Sequence, residues 1–263
     1  MIFPFGKEST VGILEKISDT ARAIGGKRDR TEPTTAIIVA SGNSTRMGAG
    51  VSKQLLLLDS IPVVARAIMA FDECEFISEI IVVAKQEEFY LYQEFQKLYK
   101  FKKLVRLVSG GKTRQESARN GFAAISKGTR FVAIHDGARC LITPSQIEAV
   151  CREAYKHDCA TAATRAVDSI KVSSGKNLYI ESSANRNHVW MAQTPQVFKT
   201  EIYELALKKA DADHLEVTDD NSLVENLGVP IKLVECGRSN IKITTPDDIP
   251  LALAILKSRE ETL

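Results

Sequence analysis

The sequence predicts an α/β protein built on a doubly wound, mostly parallel sheet. From residue 36 onward, short apolar runs (AIIVA, IIVVA, LVRLVSGG, RFVAIHD) alternate with stretches of helical periodicity. The runs are apolar nearly throughout rather than every second residue, as strands are when helices cover both faces of a parallel sheet. Three of them lead into the most polar, glycine-bearing loops of the chain, SGNSTRMG, SGGKTRQES and HDGAR. Ligands of open α/β sheets bind outside the carboxyl ends of the strands, so these loops are the candidate site.

Taken in order, residues 1–35 stand apart from this rhythm. Ile13, Leu14, Ile17, Ala21 and Ile24 fall at helical spacing, and Gly25-Gly26 followed by KRDRTEP closes the stretch. A loosely held extension and a docking helix for a partner are both open readings. The segment lacks the continuous apolar core of a signal peptide. Its acidic residues Glu8, Glu15, Asp19, Asp29 and Glu32 argue against an organelle transit peptide. Strands are then expected at 36–40, 80–84, 104–111 and 130–136, with helices at 63–71, 87–99, 114–125 and 144–157. After residue 166 the pattern changes: 167–172 and 178–182 flank SSGKN and predict a β-hairpin, an excursion that needs something to pack on. Helices near 200–210 and 218–227, a strand at 231–235 and a last helix from 246 to about 259 complete the chain.

Composition bounds the function. The chain of 263 residues is one large domain or two small ones at roughly 150 residues per domain. Lys plus Arg is 35 against 33 Asp plus Glu, a net charge of +2. That near-balance, with no stretch interleaving basic and aromatic residues, speaks against nucleic acid and anionic membranes as partners. No apolar run approaches the roughly 20 residues that span a bilayer. The five cysteines form no CxxC pair and match neither a zinc frame nor a disulfide scaffold, so reduced thiols in a cytoplasmic protein are expected.

Each loop has a chemical and a bland reading. In the first, small residues Ser41 and Gly42 let backbone N–H groups approach phosphate oxygens, and Arg46 and Lys53 supply charge. GxxxxGK[ST] and GxGxxG are both absent, so neither a P-loop nor a dinucleotide fingerprint is present. Two solvated cations are the alternative. In the second, Gly110 and Gly111 allow close backbone approach and Ser117 stands on the first helical turn, an arrangement that suits the edge of a base. A plain turn with Thr113 as helix cap is equally open. In the third, Asp136 with Gly137 and Arg139 suits ribose hydroxyls or metal-bound phosphates. His135 reads as a packed strand-end histidine and Cys140 as a buried thiol rather than a nucleophile.

Together the motifs resemble the 2-C-methyl-D-erythritol 4-phosphate cytidylyltransferases of the non-mevalonate isoprenoid pathway. The family's AAGxGxRMG and PKQ appear as ASGNSTRMG and SKQ, GGxxRxxSxxNG as GGKTRQESARNG, and HDAARP as HDGARC. Its DTxK, DRxxxW, TPQxF, TD and NIKxTxPxD segments appear as DSIK, NRNHVW, TPQVF, TDDNS and NIKITTPDD. The resemblance runs from about Ala36 to Lys257. It implies a Rossmann-like nucleotidyltransferase fold over 36–263 with a protruding β-hairpin dimerisation arm at about 167–190.

The resemblance also implies a reaction in which a polyol phosphate attacks the α-phosphorus of CTP, with Mg²⁺ or another divalent cation held mainly by the CTP phosphates and Asp136 as its possible protein contact. Arg46, Lys53, Arg186 and Lys242 would be the catalytic cations. Ala40, Ser41, Gly42, Gly111, Ser117 and Asp136 would bind CTP. Asp136, Gly137, Arg139, Ser169, Arg186, Thr194, Thr218 and Lys242 would form the substrate pocket. Ser169 and Arg186 on the arm would serve the twofold-related subunit, making a homodimer necessary. The chain departs from the family pattern at Ser41 for Ala, Ser44 for Gly, Ser52 and Cys140 for Pro, and Ser169 for Thr. The alternatives are a cytidylyltransferase of another polyol phosphate, such as ribitol 5-phosphate, and a non-catalytic nucleotide-binding homologue.

Overall fold

The computed structural model describes residues 31–42, 52–175 and 178–261. The chain enters the sheet at once with β1, Thr34–Val39, two residues ahead of the expected start. Thr34 and Thr35 do not look like core residues, yet both are buried because their hydroxyls are satisfied. Thr34 Oγ1 lies 2.6 Å from Tyr155 Oη and Thr35 Oγ1 2.9 Å from Thr129 Oγ1. The expected N-terminal helix lies outside the described residues.

A 3₁₀ turn at Lys53–Leu55 and a small hairpin of β2, Leu57–Leu58, and β3, Ile61–Pro62, lead into α1, Val63–Glu73. Then follow β4, Glu79–Ala84; α2, Phe89–Tyr99; β5, Leu104–Ser109; α3, Arg114–Ala123; β6, Phe131–Asp136; and α4, Pro144–His157. All eight strands and helices expected over 36–157 are present. The start of α4 shows why its limits were legible: Thr143 and Gln146 form a reciprocal capping box, with Pro144 at the first helical turn.

The short β2–β3 hairpin was not expected from the sequence, and two strands of the main sheet were not either. β7, Cys159–Arg165, is rich in alanine and threonine, and β10, Trp190–Lys199, contains Pro195. Neither carries the apolar run that marks the other strands. β10 is antiparallel to both β6 and β7, with a register shift between Ala192 and Gln196 around the proline. The seven-stranded sheet therefore has the order β11-β7-β10-β6-β1-β4-β5 and is mixed, its remaining pairs being parallel. Here β11 is Lys232–Glu235. Between β10 and β11 lie α5, Thr200–Ala212, and α6, Asp220–Glu225, and the chain closes with α7, Asp248–Glu260.

Both sheet faces are covered, which explains the continuous apolar strands. Ile38, Val82 and Ala133 face one layer with Ile68 and Phe71 of α1 and Ile147 and Val150 of α4. Ile37, Val83, Val132 and Ile134 face the other, with Ala118 of α3, Ile202 and Tyr203 of α5 and Leu223 of α6. The hairpin after residue 166 is shorter than expected: β8, Lys171–Ser173, pairs antiparallel with β9, Ile180–Ser183, outside the main sheet. Every residue of both strands is exposed.

Candidate active site

β1 and β6 are parallel neighbours with Val39 opposite Asp136, so the loops that follow them emerge side by side. Gly137 N–H donates to Val39 O at 2.9 Å. A Cβ on Gly137 would stand 3.2 Å from both Ala40 Cβ and Val64 Cγ2, so a side chain there would crowd the two loops apart. The loop after β5 joins them from the other side. Gly110 N–H donates to Ala84 O at 2.9 Å, and a Cβ at Gly110 would overlap the Ser41 side chain. Ser41 Oγ and Ser117 Oγ are 2.9 Å apart, and Ser117 Oγ also accepts from Gly111 N–H at 3.0 Å. Thr113 is the helix cap, accepting from Glu116 N–H at 3.0 Å. The two readings of this loop are thus compatible: the cap of α3 sets Ser117 in place.

Between these loops lies a cleft of about 260 Å³. Ser41, Gly42, Lys53, Gly111, Ser117, Asp136 and Lys242 line it, together with Lys112, Thr113 and Arg114. Seven positions spread over two hundred residues of sequence are thereby brought to one place.

The Asp136 carboxylate is the electrostatic centre. Arg114 Nε donates to Oδ1 at 2.9 Å and Lys242 Nζ to Oδ2 at 2.7 Å. Burial alone would raise this carboxyl, but Arg114 and Lys242 outweigh it and hold it well below the usual carboxylate range. Burial likewise disfavours the charged Arg114, yet Asp220 and Asp136 reverse the effect and keep it protonated. Arg114 Nη1 donates to Asp220 Oδ2 at 2.6 Å, and Tyr203 Oη donates to Asp220 Oδ1 at 2.6 Å.

Behind Asp136, His135 is fully buried, and burial pulls its pKa down to about 4. Its Nε2 lies 3.1 Å from the Arg139 carbonyl, which can only accept, so Nε2 carries the proton. Nδ1 then accepts from Thr194 Oγ1 at 3.0 Å, while the same hydroxyl oxygen accepts from Asp136 N–H at 3.0 Å. His135 is a neutral packing histidine, as the sequence suggests. Cys140 is buried and its thiol pushed up to about 11 by burial.

The chain can be placed among known proteins. Residues 34–258 match the family model described as 2-C-methyl-D-erythritol 4-phosphate cytidylyltransferase. The chain belongs to that family. Over 225 residues it is 42% identical to the cytidylyltransferase of that name from Caldanaerobacter subterraneus subsp. tengcongensis, covering 85% of this chain and 98% of the relative. The protein of the same name from Pelotomaculum thermopropionicum is 36% identical over 233 residues, 88% of this chain and 98% of its own. In three dimensions the chain is similar to 4-diphosphocytidyl-2C-methyl-D-erythritol synthase from Anaerococcus prevotii, with a TM-score of 0.78, 26% identity, and coverage of 86% of this chain and 97% of that one. It is also similar to the Thermus thermophilus 2-C-methyl-D-erythritol 4-phosphate cytidylyltransferase, with a TM-score of 0.68, 26% identity, and coverage of 86% and 99%.

Other positions expected from the family's motifs are placed differently. Thr194 is buried under Asp136 and Ala40 is buried at the end of β1. Arg139 donates from Nη1 to Asn240 O at 2.9 Å. Thr218 is exposed, one residue before Asp219, whose side chain caps α6. Ser169 and Arg186 flank the exposed hairpin and do not line the cleft, and Arg186 Nη1 donates to Val167 O at 3.2 Å. Arg46 and Ser44 lie outside the described residues. Arg114, Asp220 and Tyr203 were given no role by the sequence reading. Arg114 and Asp220 stand inside the GGKTRQES and TDDNS motifs, so the letters were visible, but their pairing across 106 residues was not.

Proposed function

We propose that the chain transfers the cytidylyl group of CTP to 2-C-methyl-D-erythritol 4-phosphate. An oxygen of the substrate phosphate forms a bond to the α-phosphorus, the bond from the α-phosphorus to the oxygen that bridges it to the β-phosphorus breaks, and its electron pair leaves on that oxygen with pyrophosphate. Nucleophile and leaving group are both already anionic at neutral pH, so the task is positioning and neutralising charge rather than moving a proton. The observation that carries this reading is the cleft itself. Lys53, Lys242 and Arg114 line it together, the last two paired to one carboxylate, and no histidine or cysteine is among the described lining residues.

In this reading Arg46 and Lys53 stabilise the charge that develops on the CTP phosphates, and Lys242 with Arg186 holds the polyol phosphate. Ala40, Ser41, Gly42, Gly111 and Ser117 form the nucleotide side of the cleft. Gly137, Arg139, Ser169, Thr194 and Thr218 complete the substrate side. The donor set suits Mg²⁺: Asp136 offers hard carboxylate oxygen, but both its oxygens already accept from cations. The metal would therefore rest mainly on the triphosphate, as Mg²⁺ commonly does. When bound, it would neutralise charge on the phosphate oxygens.

We also assign the hairpin to a homodimer. Leu178 and Tyr179 beside β9 are 82% and 75% exposed, and an isolated two-stranded sheet is marginal in water. A second copy would cover this apolar surface and bring Arg186 and Ser169 to the neighbour's cleft. Such a protein would work in the cytoplasm, and none of the described helices is long and apolar enough to cross a membrane.

The test is pyrophosphate release with CTP, Mg²⁺ and 2-C-methyl-D-erythritol 4-phosphate, with ribitol 5-phosphate in parallel. Release with the first substrate alone is expected. Release with ribitol 5-phosphate alone, or CTP binding without release in either, would overturn the assignment.

A further inference from the structure

The two cations on Asp136 are held very differently. Arg114 starts α3 and its side chain is 23% exposed, with its fork spanning two carboxylates. Asp220, at 1% exposure, is fixed in turn by the Tyr203 hydroxyl at 2.6 Å. Tyr203 is fully buried, stacked on Phe198 and edge-on to Phe122. A chain of alternating partners thus runs from the core to the cleft: Tyr203, Asp220, Arg114, Asp136, Lys242. Lys242 is its loose end. Its side chain is 36% exposed and its one ion pair among the described residues is to Asp136.

We infer that Arg114 is a positioning residue that frees Lys242 for the incoming phosphate. In the empty cleft Lys242 rests on Asp136. When a phosphate dianion arrives, Lys242 turns to it, and the Asp136 carboxylate stays paired because Arg114 cannot leave. A buried carboxylate deprived of its partner is costly, so the fixed cation lowers the cost of releasing the mobile one. Arg139 contributes to the field at Asp136 but donates to backbone carbonyls instead. Without Arg114, Lys242 would be the direct partner left to Asp136, and the phosphate would have to compete for it. The inference rests on the proposed role of Lys242 as a phosphate ligand.

The experiment is steady-state pyrophosphate release by the full chain carrying Arg114→Gln, Lys242→Ala, or both. Arg114→Gln is expected to raise KM for the polyol phosphate about tenfold, the scale of one hydrogen bond to a charged group, with a much smaller change in KM for CTP. In the Lys242→Ala background the same substitution should have almost no further effect on that KM, because its route runs through Lys242. Arg114→Lys should recover only part of the loss, since one ammonium cannot bridge both carboxylates. If Arg114→Gln fails to fold, Asp220→Asn and Tyr203→Phe, both remote from the cleft lining, should move the same KM in the same direction by less. Additive losses in the double variant, or equal losses for both substrates, would overturn the inference and leave the function standing. An unchanged KM in Lys242→Ala would overturn the phosphate role itself and this inference with it.

Discussion

The Asp136 end of the cleft and the hairpin are two regions assigned to the same substrate, yet they are built on opposite principles. At the Asp136 end the described side chains are tied into buried networks. His135, Thr194 and the Asp136 amide form one buried network, and Arg114, Asp220 and Tyr203 form another. At the hairpin, Ser169 and Arg186 are exposed, and the described Arg186 hydrogen bond is a single contact to a backbone carbonyl. The first region is preorganised by the fold of one chain, which is where charge stabilisation gains most. The second presents functional groups and apolar area outward, as a surface does when its complement is another molecule. In the proposed dimer, one chain would build part of a site and the hairpin of its neighbour would supply the rest.

The sharpest way to break this contrast is to cripple each region and mix the products. Lys53→Ala should lower kcat by a hundredfold or more, on the order of 3 kcal/mol in barrier, measured by single-turnover pyrophosphate release. Arg186→Ala should be comparably impaired at low polyol phosphate. If the hairpin serves the neighbouring subunit, co-refolding the two variants should restore roughly a quarter of wild-type activity, because half the dimers then carry one intact site. No recovery would place Arg186 in its own chain's site.

The next effect is on stability and concerns only the buried region. His135 has its pKa lowered from 6.5 to about 4, so between those values the unfolded chain binds a proton that the folded chain refuses. Stability therefore falls as pH drops through that window, by up to about 3 kcal/mol from this residue. Asp136 acts lower down: its depressed pKa confers stability that is present above 3.8 and lost as pH falls further. Urea denaturation of wild type and His135→Gln between pH 7 and 4 should show the variant with the flatter dependence. Equal slopes would mean that His135 is not buried neutral.

The smallest effect distinguishes the hairpin. Tyr179→Ser should change the unfolding free energy of the monomer by less than about 0.5 kcal/mol, because the ring is 75% exposed. The same change should weaken dimerisation measurably by sedimentation. A stability loss without a change in oligomeric state would show that the ring packs within its own chain.

Much of this was legible in the sequence. The strands of the parallel half were readable because a sheet covered on both faces demands unbroken apolar runs, as in Ile37, Ile38 and Val39. The helices were readable from their apolar periodicity, and caps such as Thr143 and Thr113 mark their starts in the structure. The first, second and third loops were readable as a site because glycine, serine and charge at strand ends have few structural uses. β7 and β10 were not readable, since alanine, threonine and an internal proline carry no clear period.

By itself, the sequence determined the fold class, the family and the chemical character of the cleft, because each follows from local patterning and motif letters. Tertiary structure alone decided that Arg114 and Asp220 are paired, that Thr194 supports Asp136 from beneath, and that Asp136 is shared between a well-buried arginine and a more exposed lysine. Ion pairs across a hundred residues leave no local periodicity, and charge is tuned by burial and by neighbours that only the folded chain supplies.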